Sequence, residues 1–273
     1  MKKFVCLLLG LCMCVAICAE VKCEEADSTL FVNYLRYVNR LGHAPSLSET
    51  GLFFLNTPYV AGVLDKDPTE PLVVNMRQLD CVTFVEHTLA LTLLMKSQSQ
   101  EWNDYIALLQ QLRYRNGQRD GYASRLHYLS EWIQQAEANG YVEEKTCDWG
   151  GLKQAIHFHL LTDAVKKKQG EQSDSIAMSR LLHMEKNLSE QDYCYLPKNA
   201  LPSHLNDGDI IAFCADGKGI DVWHVGIVLK QGNDFHLLHA SSVSKKVIIS
   251  SQTLREYMQQ INRYKGFRII RLR

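Results

Sequence analysis

Leu79-Asp80-Cys81-Val82-Thr83-Phe84-Val85-Glu86 is the stretch on which the fold turns. Asp80 is a good N-cap type, no glycine or proline follows before Met95, and Val82, Val85, Leu89 and Leu93 recur at helical spacing. The pattern predicts a helix beginning at Cys81. A thiol at that place meets unpaired N–H groups and the positive end of the helix dipole, which together favour a thiolate and predict a depressed pKa. The same residue also fits a small core position, because free cysteine is among the most buried residue types. The stretch alone leaves nucleophile and core residue both open.

Working outward, Gly208–Phe213, Asp221–Leu229 and Phe235–Ser242 read as three short strands separated by Gly, Asn and Asp turns. Two of them carry a histidine, His224 and His239. A cysteine nucleophile needs a base that takes its proton and returns it to the leaving amine, and the base needs a polar partner to fix its tautomer. Cysteine on a helix start with histidines on neighbouring strands supplies all three parts.

The order Asp80-Cys81, Gly208-Asp209-Ile210-Ile211, His224-Val225-Gly226-Ile227 and His239-Ala240-Ser241 resembles the NlpC/P60 cysteine peptidases, papain-like enzymes of bacterial cell-wall peptides. The resemblance is closer to the DUF1460 branch. It is carried by LDCVTFVEHTLAL from Leu79, GYASRLHYLSEWI from Gly121, YLPK at Tyr195–Lys198, GIDVWHVGI from Gly219 and LLHASS from Leu237, and it runs from about Thr57 to the C-terminus. It implies an N-acetylmuramoyl-L-alanine amidase that prefers small 1,6-anhydro muropeptides to intact wall. It also implies a tyrosine hydroxyl beside the nucleophile, here Tyr59, and a cleft bordered by Ser124 and Arg125. From the residues alone Tyr59 is equally an aromatic anchor after Pro58, and Arg125 a surface arginine behind a capping serine.

Met1-Lys2-Lys3 followed by the apolar run Phe4–Ala19 reads as a signal peptide over residues 1–19, cleaved after Cys18 or Ala19. The run is too short for an ordinary membrane span, so the processed chain is expected to be soluble, exported and periplasmic. A lipid-anchored form is the lesser reading, since Leu11, Met13, Ile17 and Lys22, which precede the nearby cysteines, are not the small residue that lipid attachment requires. Residues 20–273 suit one domain, with an elaboration at about 147–196. The chain is formally neutral, and loss of Lys2 and Lys3 makes it slightly acidic. No basic field favours nucleic acid, and the expected partners are muropeptides.

Cys23, Cys81, Cys147, Cys194 and Cys214 remain after the leader, an odd number with no CxxC pair. A disulfide framework is not expected in a chain of this size, although one bridge among Cys147, Cys194 and Cys214 stays open. Helices are expected over Leu30–Leu41, Glu101–Leu112, Arg125–Ala138 with Ser124 as cap and Gly140 as closing glycine, Ser175–Leu188 and Gln252–Ile261. Ile156–Leu160 alternates like a strand with His157 and His159 on one face. A His-x-His pair can bind zinc, but no third and fourth ligand lies near, so neither metal nor cofactor is expected. Asp163–Gly170 reads as a solvated basic stretch, and Gly266–Leu272 as the last strand. Neither a Walker nor a GxGxxG phosphate loop is present.

These readings combine into an α+β fold with a papain-like core, in which the Cys81 helix packs on an antiparallel sheet from the second half of the chain. Cys81 is expected as nucleophile, His224 as base and then acid, and His239 as its orienting partner. Asp80 is expected to cap the helix and touch substrate; Asp221 either holds substrate or closes a hairpin. The rival readings are an endopeptidase cutting within the stem peptide, a wall-binding module indifferent to Cys81→Ala, and a zinc amidase stopped by chelators.

Overall fold

The computed structural model describes residues 21–169, 175–216 and 219–273. The expected signal peptide lies outside the described residues. In chain order the helices are α1 (Glu25–Leu41), α2 (Leu47–Phe53), α3 (Cys81–Lys96), α4 (Trp102–Arg113), α5 (Leu129–Ala138), α6 (Leu160–Gln169), α7 (Ser175–Ser189) and α8 (Leu254–Gln260). The strands are β1 (Val21–Lys22), β2 (Leu72–Val73), β3 (Val142–Glu144), β4 (Leu152–Ala155), β5 (Asp192–Pro197), β6 (Ile210–Cys214), β7 (Val222–Gln231), β8 (Asp234–Ser241), β9 (Lys246–Ile249) and β10 (Gly266–Leu272). The arrangement is α+β. Helices come first, and the main sheet runs β4-β5-β10-β6-β7-β8-β9 with β3 on the flank of β10. Its pairings are antiparallel throughout.

Alternation along the central strands divides the core in two. Ile210, Ala212, Val225, Ile227, Leu238 and Ala240 face α3 and pack on Phe84, Val85, Leu89 and Leu91. Ile211, Phe213, Val228 and Leu237 face the other way, onto Leu254 and Met258 of α8. The sequence pattern had suggested one apolar stripe on α3, yet the helix is enclosed on nearly every side. Its polar residues are satisfied internally: the Thr88 and Thr92 hydroxyls donate to the Phe84 and Thr88 carbonyls at 2.7 and 2.8 Å. A helix apolar all round belongs at the centre of a domain, and from Thr83 to Thr92 α3 is buried there.

Three expectations need correction. The helix expected from Arg125 begins only at Leu129; Tyr122–Ser124 is a short 3-10 turn and Arg125 is extended. The Ser124 hydroxyl donates to the Gly121 carbonyl at 2.7 Å and accepts from the Asp120 N–H, so it closes that turn instead of capping a helix. Ile156–His159 is not a strand but the link between β4 and α6; the stretch read as basic and solvated lies mostly on α6, with Asp163, Lys166 and Lys167 exposed. Of the bridges left open, one forms among the described residues: Cys147 is joined to Cys194, tying the turn before β4 to the middle of β5. Cys23, Cys81 and Cys214 are free. Among the described residues no helix is long and apolar enough to cross a membrane.

Candidate active site

Asp80 caps α3 as expected. Its Oδ1 accepts from the Thr83 N–H at 2.8 Å and the Thr83 hydroxyl at 2.8 Å, while its own N–H donates back to Thr83 Oγ1 at 2.9 Å. That exchange starts the helix at Cys81. The thiol is half-buried, and the N–H groups of Val225, Cys81 and Val82 face its sulfur. Val225 directly follows His224 on β7, so the helix start is seated against the strand that carries the histidine.

Tyr59 reaches the same place although twenty-odd residues separate it from the cysteine. Its neighbours Pro58 and Val60 exchange backbone hydrogen bonds with Leu79 at 3.0 Å each, and its own N–H donates to the Lys245 carbonyl at 2.9 Å. Residues 61–78 therefore leave and return as an excursion, and the long separation does not displace the tyrosine. Burial raises the pKa of its phenol, and the neighbouring Cys81 and Asp80 raise it further.

His224 and His239 meet through their rings. Nε2 of His224 lies 2.6 Å from Nδ1 of His239, with the planes near perpendicular. Gly226 makes this approach possible. It shares a face with His224, and a Cβ there would stand 3.0 Å from the His239 Cβ and 2.9 Å from the Leu238 carbonyl. Below His224 lies an aromatic floor: Phe213 is parallel to its ring at 6.1 Å and to Tyr264 at 4.8 Å, and Tyr257 stands 5.5 Å from His239. Tyr257 and Tyr264 both lie near enough to Cys81 for a thiolate there to raise their pKa. Nothing in the local pattern marked Phe213, Tyr257 or Tyr264 as site residues; the pairing of β6 with β7, α8 itself and the turn after it bring them in.

The electrostatics overturn one expectation. Burial, then the adjacent Asp80 carboxylate, push the Cys81 thiol up to about 12, against the opposing pull of the three N–H groups. Burial, then His239 and Arg263, push His224 down to about 3, and burial takes His239 to about 4. A helix terminus contributes about 0.3–1 kcal/mol, under one pKa unit, whereas burial moves a group by up to about 3–5 units. Desolvation wins, so the resting thiol and both imidazoles are uncharged.

The other sequence-derived site residues lie in the framework. Asp221 is buried; its Oδ2 accepts from the Ser130 N–H at 2.5 Å and its Oδ1 from the Val222 N–H at 2.9 Å. It caps α5 from across the fold, and its carboxylate is turned inward, away from any substrate. Arg125 is buried too, ion-paired with Asp65 at 2.5 Å and Glu70 at 3.1 Å and lying over the Tyr122 ring. Its guanidinium already has two carboxylates and pins the 61–78 excursion. His157 and His159 have rings 5.5 Å apart, with His159 Nδ1 held by Asp163. Among the described residues no group of three or more His, Cys, Asp or Glu side chains could hold a metal ion.

Comparison with known proteins agrees with this architecture. An N-acetylmuramoyl-L-alanine amidase from Bacteroides uniformis has 33% sequence identity and a TM-score of 0.77, over 84% of this chain and 98% of its own. A protein from Bacteroides fragilis that carries a provisional xylanase name has 35% identity and a TM-score of 0.75, over 81% and 98%. A DUF1460 protein from Legionella pneumophila shares the fold at a TM-score of 0.67, over 90% and 94%, with 19% identity. No curated protein matches the chain. Residues 49–267 match the AmiA-like family, described as N-acetylmuramoyl-L-alanine amidase-like, and with that span and the identity to the Bacteroides uniformis enzyme the chain belongs to this family of amidase-like proteins.

Proposed function

We propose that the protein is a cysteine amidase of NlpC/P60 type that cuts the amide between N-acetylmuramic acid and L-alanine in small muropeptides bearing a 1,6-anhydro sugar. Export behind a leader at residues 1–19 and action in the periplasm belong to the same reading, with residues 20–273 as one domain. The observation that carries it is the seating of the Cys81 helix start against β7, where His224 is already paired with His239. The name and family of the similar proteins support the choice of bond.

His224 Nε2 is engaged by His239, which leaves Nδ1 for the thiol. In that tautomer Nε2–H donates to His239 Nδ1. Because the resting pair is neutral, proton transfer accompanies attack: the Cys81 proton passes to His224 Nδ1 as sulfur bonds to the lactyl carbonyl carbon. The imidazolium, oriented by its hydrogen bond to His239, then protonates the departing L-alanine nitrogen as the C–N bond breaks. Water hydrolyses the thioester by the reverse proton path and restores the thiol. The Cys81 N–H and the Tyr59 hydroxyl are the proposed oxyanion donors, each worth about 10²–10³ in rate.

A glycosidase reading has less support. Glycoside hydrolysis uses two carboxyl groups across the scissile bond, and beside Cys81 the Asp80 carboxylate is occupied by Thr83.

Incubation of the protein with an anhydro-muropeptide and with intact sacculi, followed by product masses, tests the bond and the substrate size together. Release of an anhydro sugar free of amino acids is expected; cleavage within the peptide, or xylan hydrolysis, would overturn the reading. The pH profile is a second check. His224 and His239 lose their basic forms only as pH falls toward about 3 and about 4 respectively, so kcat/KM is expected to stay level between about pH 6 and 9. An inflection near 6.5, the ordinary histidine value, would show that burial does not control the pair.

A further inference from the structure

Beside His224 opens a groove of about 290 Å³ lined by Asp216, Trp223, Asn262, Arg263, Tyr264 and Lys265. Three observations tie it to the catalytic groups. Trp223 precedes His224 at a bulge in the β6–β7 pairing, a device that re-aims side chains, and its ring is 41% exposed. Tyr264 lines the groove and also lies near enough to Cys81 for a thiolate there to raise its pKa. Arg263 is near enough to His224 to oppose its protonation.

Arg263 donates a hydrogen bond to the Tyr264 side chain but is not neutralised there. Its guanidinium lies over the rings of Trp223 at 5.5 Å and Tyr264 at 5.7 Å, and among the described residues no carboxylate pairs with it. Lys265, 4.6 Å over the Tyr195 ring, likewise has no carboxylate partner among them. By contrast Arg125 and Arg268 are neutralised by acidic partners inside the fold. A guanidinium flattened on an indole at the wall of a cleft presents its N–H fork to a planar anion.

The side of the cleft decides which half of the substrate lies there. The group that protonates the leaving amine must stand beside it, so the His224 side receives the peptide and the Cys81 helix side receives the sugar acyl group. We infer that the Trp223–Arg263–Lys265 groove is a subsite for a carboxylate of the stem peptide, held by Arg263. This rests on the amidase reading. It makes a peptide with free D-glutamate and diaminopimelate carboxylates the substrate class, and Arg263 a specificity-determining residue.

The test compares the full chain with its Arg263→Ala and Arg263→Lys variants on an anhydro-muropeptide with free carboxylates and on the same compound with those carboxylates amidated. For the free acid, Arg263→Ala is expected to raise KM about 10–100-fold with kcat nearly kept, and Arg263→Lys to recover part of the loss. The wild type is expected to prefer the acid, and Arg263→Ala to lose that preference. An unchanged KM, or an equal loss on acid and amide, would overturn the subsite; the second result would assign the groove to sugar stacking. Calorimetric binding of the free and amidated stem peptides to the Cys81→Ala protein reads the subsite without turnover. Acid-selective binding to the Cys81→Ala protein that an added Arg263→Ala abolishes, together with a wild-type protein that hydrolyses neither compound, would sustain the subsite and overturn the amidase.

Discussion

Replacement of Cys81 by alanine is expected to lower kcat/KM for muropeptide hydrolysis by about 10⁴–10⁶, the range found when one member of a nucleophile–base unit is removed. His224→Ala should fall in the same range, because without a base the neutral thiol keeps its proton: burial and Asp80 hold it up at about 12. His239→Ala should cost less, about 10²–10⁴, since it removes only the group that fixes the His224 tautomer. It should also move the acid limb of the pH profile upward, because His239 is one of the groups that depress His224. Stability should change little with Cys81→Ala, within about 1 kcal/mol, as the side chain is small and half-buried. Folded Cys81→Ala protein that retains more than about a tenth of wild-type turnover would remove the thiol from the chemistry. Steady-state kinetics beside urea unfolding of the same preparations separates the two effects.

What could be read from the chain before folding was whatever is encoded locally. Asp80 caps α3 three residues from its partner Thr83, so the helix start needed no tertiary information. The strands carrying His224 and His239 showed themselves as short apolar runs between Gly, Asn and Asp turn residues. Features set at long range were not readable. The α5 start was misplaced because its cap is Asp221, 91 residues away from Ser130. Arg125 resembled a free ligand for a carboxylate because Asp65 and Glu70 reach it only once the 61–78 excursion folds back. The ionisation of Cys81 was misjudged for a related reason: the dipole follows from the helix start, but the burial that outweighs it comes from the sheet and the aromatic floor. Local signals brought out the groups proposed to react, and tertiary packing sets their protonation.

The largest loss of stability is expected from a pair that never meets substrate. Arg113 Nε donates to Glu86 Oε2 at 2.8 Å, with the two side chains 1% and 2% exposed, and another arm of the guanidinium donates to the Val73 carbonyl. Beside it, His87 shares a hydrogen bond with Tyr105, and burial drives that imidazole well below its ordinary pKa. The pair thus clamps α3 to α4 and to the strand that opens the approach to Asp80. Burial raises the Glu86 pKa and Arg113 only partly offsets it. A carboxylate with a raised folded pKa loses stability as pH climbs from its unfolded value through the folded one, so at neutral pH this ion pair is not a net gain over the solvated groups. Removing one partner is a different matter. Arg113→Met or Glu86→Leu alone leaves a buried charge without its counterion and should lower unfolding free energy by about 3–5 kcal/mol. The double variant discards both charges and fills the space with apolar atoms, so it should regain most of that loss. Urea unfolding of the four proteins gives the coupling energy directly; losses that simply add in the double variant would mean that Arg113 and Glu86 act through separate contacts and that the clamp on the Cys81 helix is not theirs.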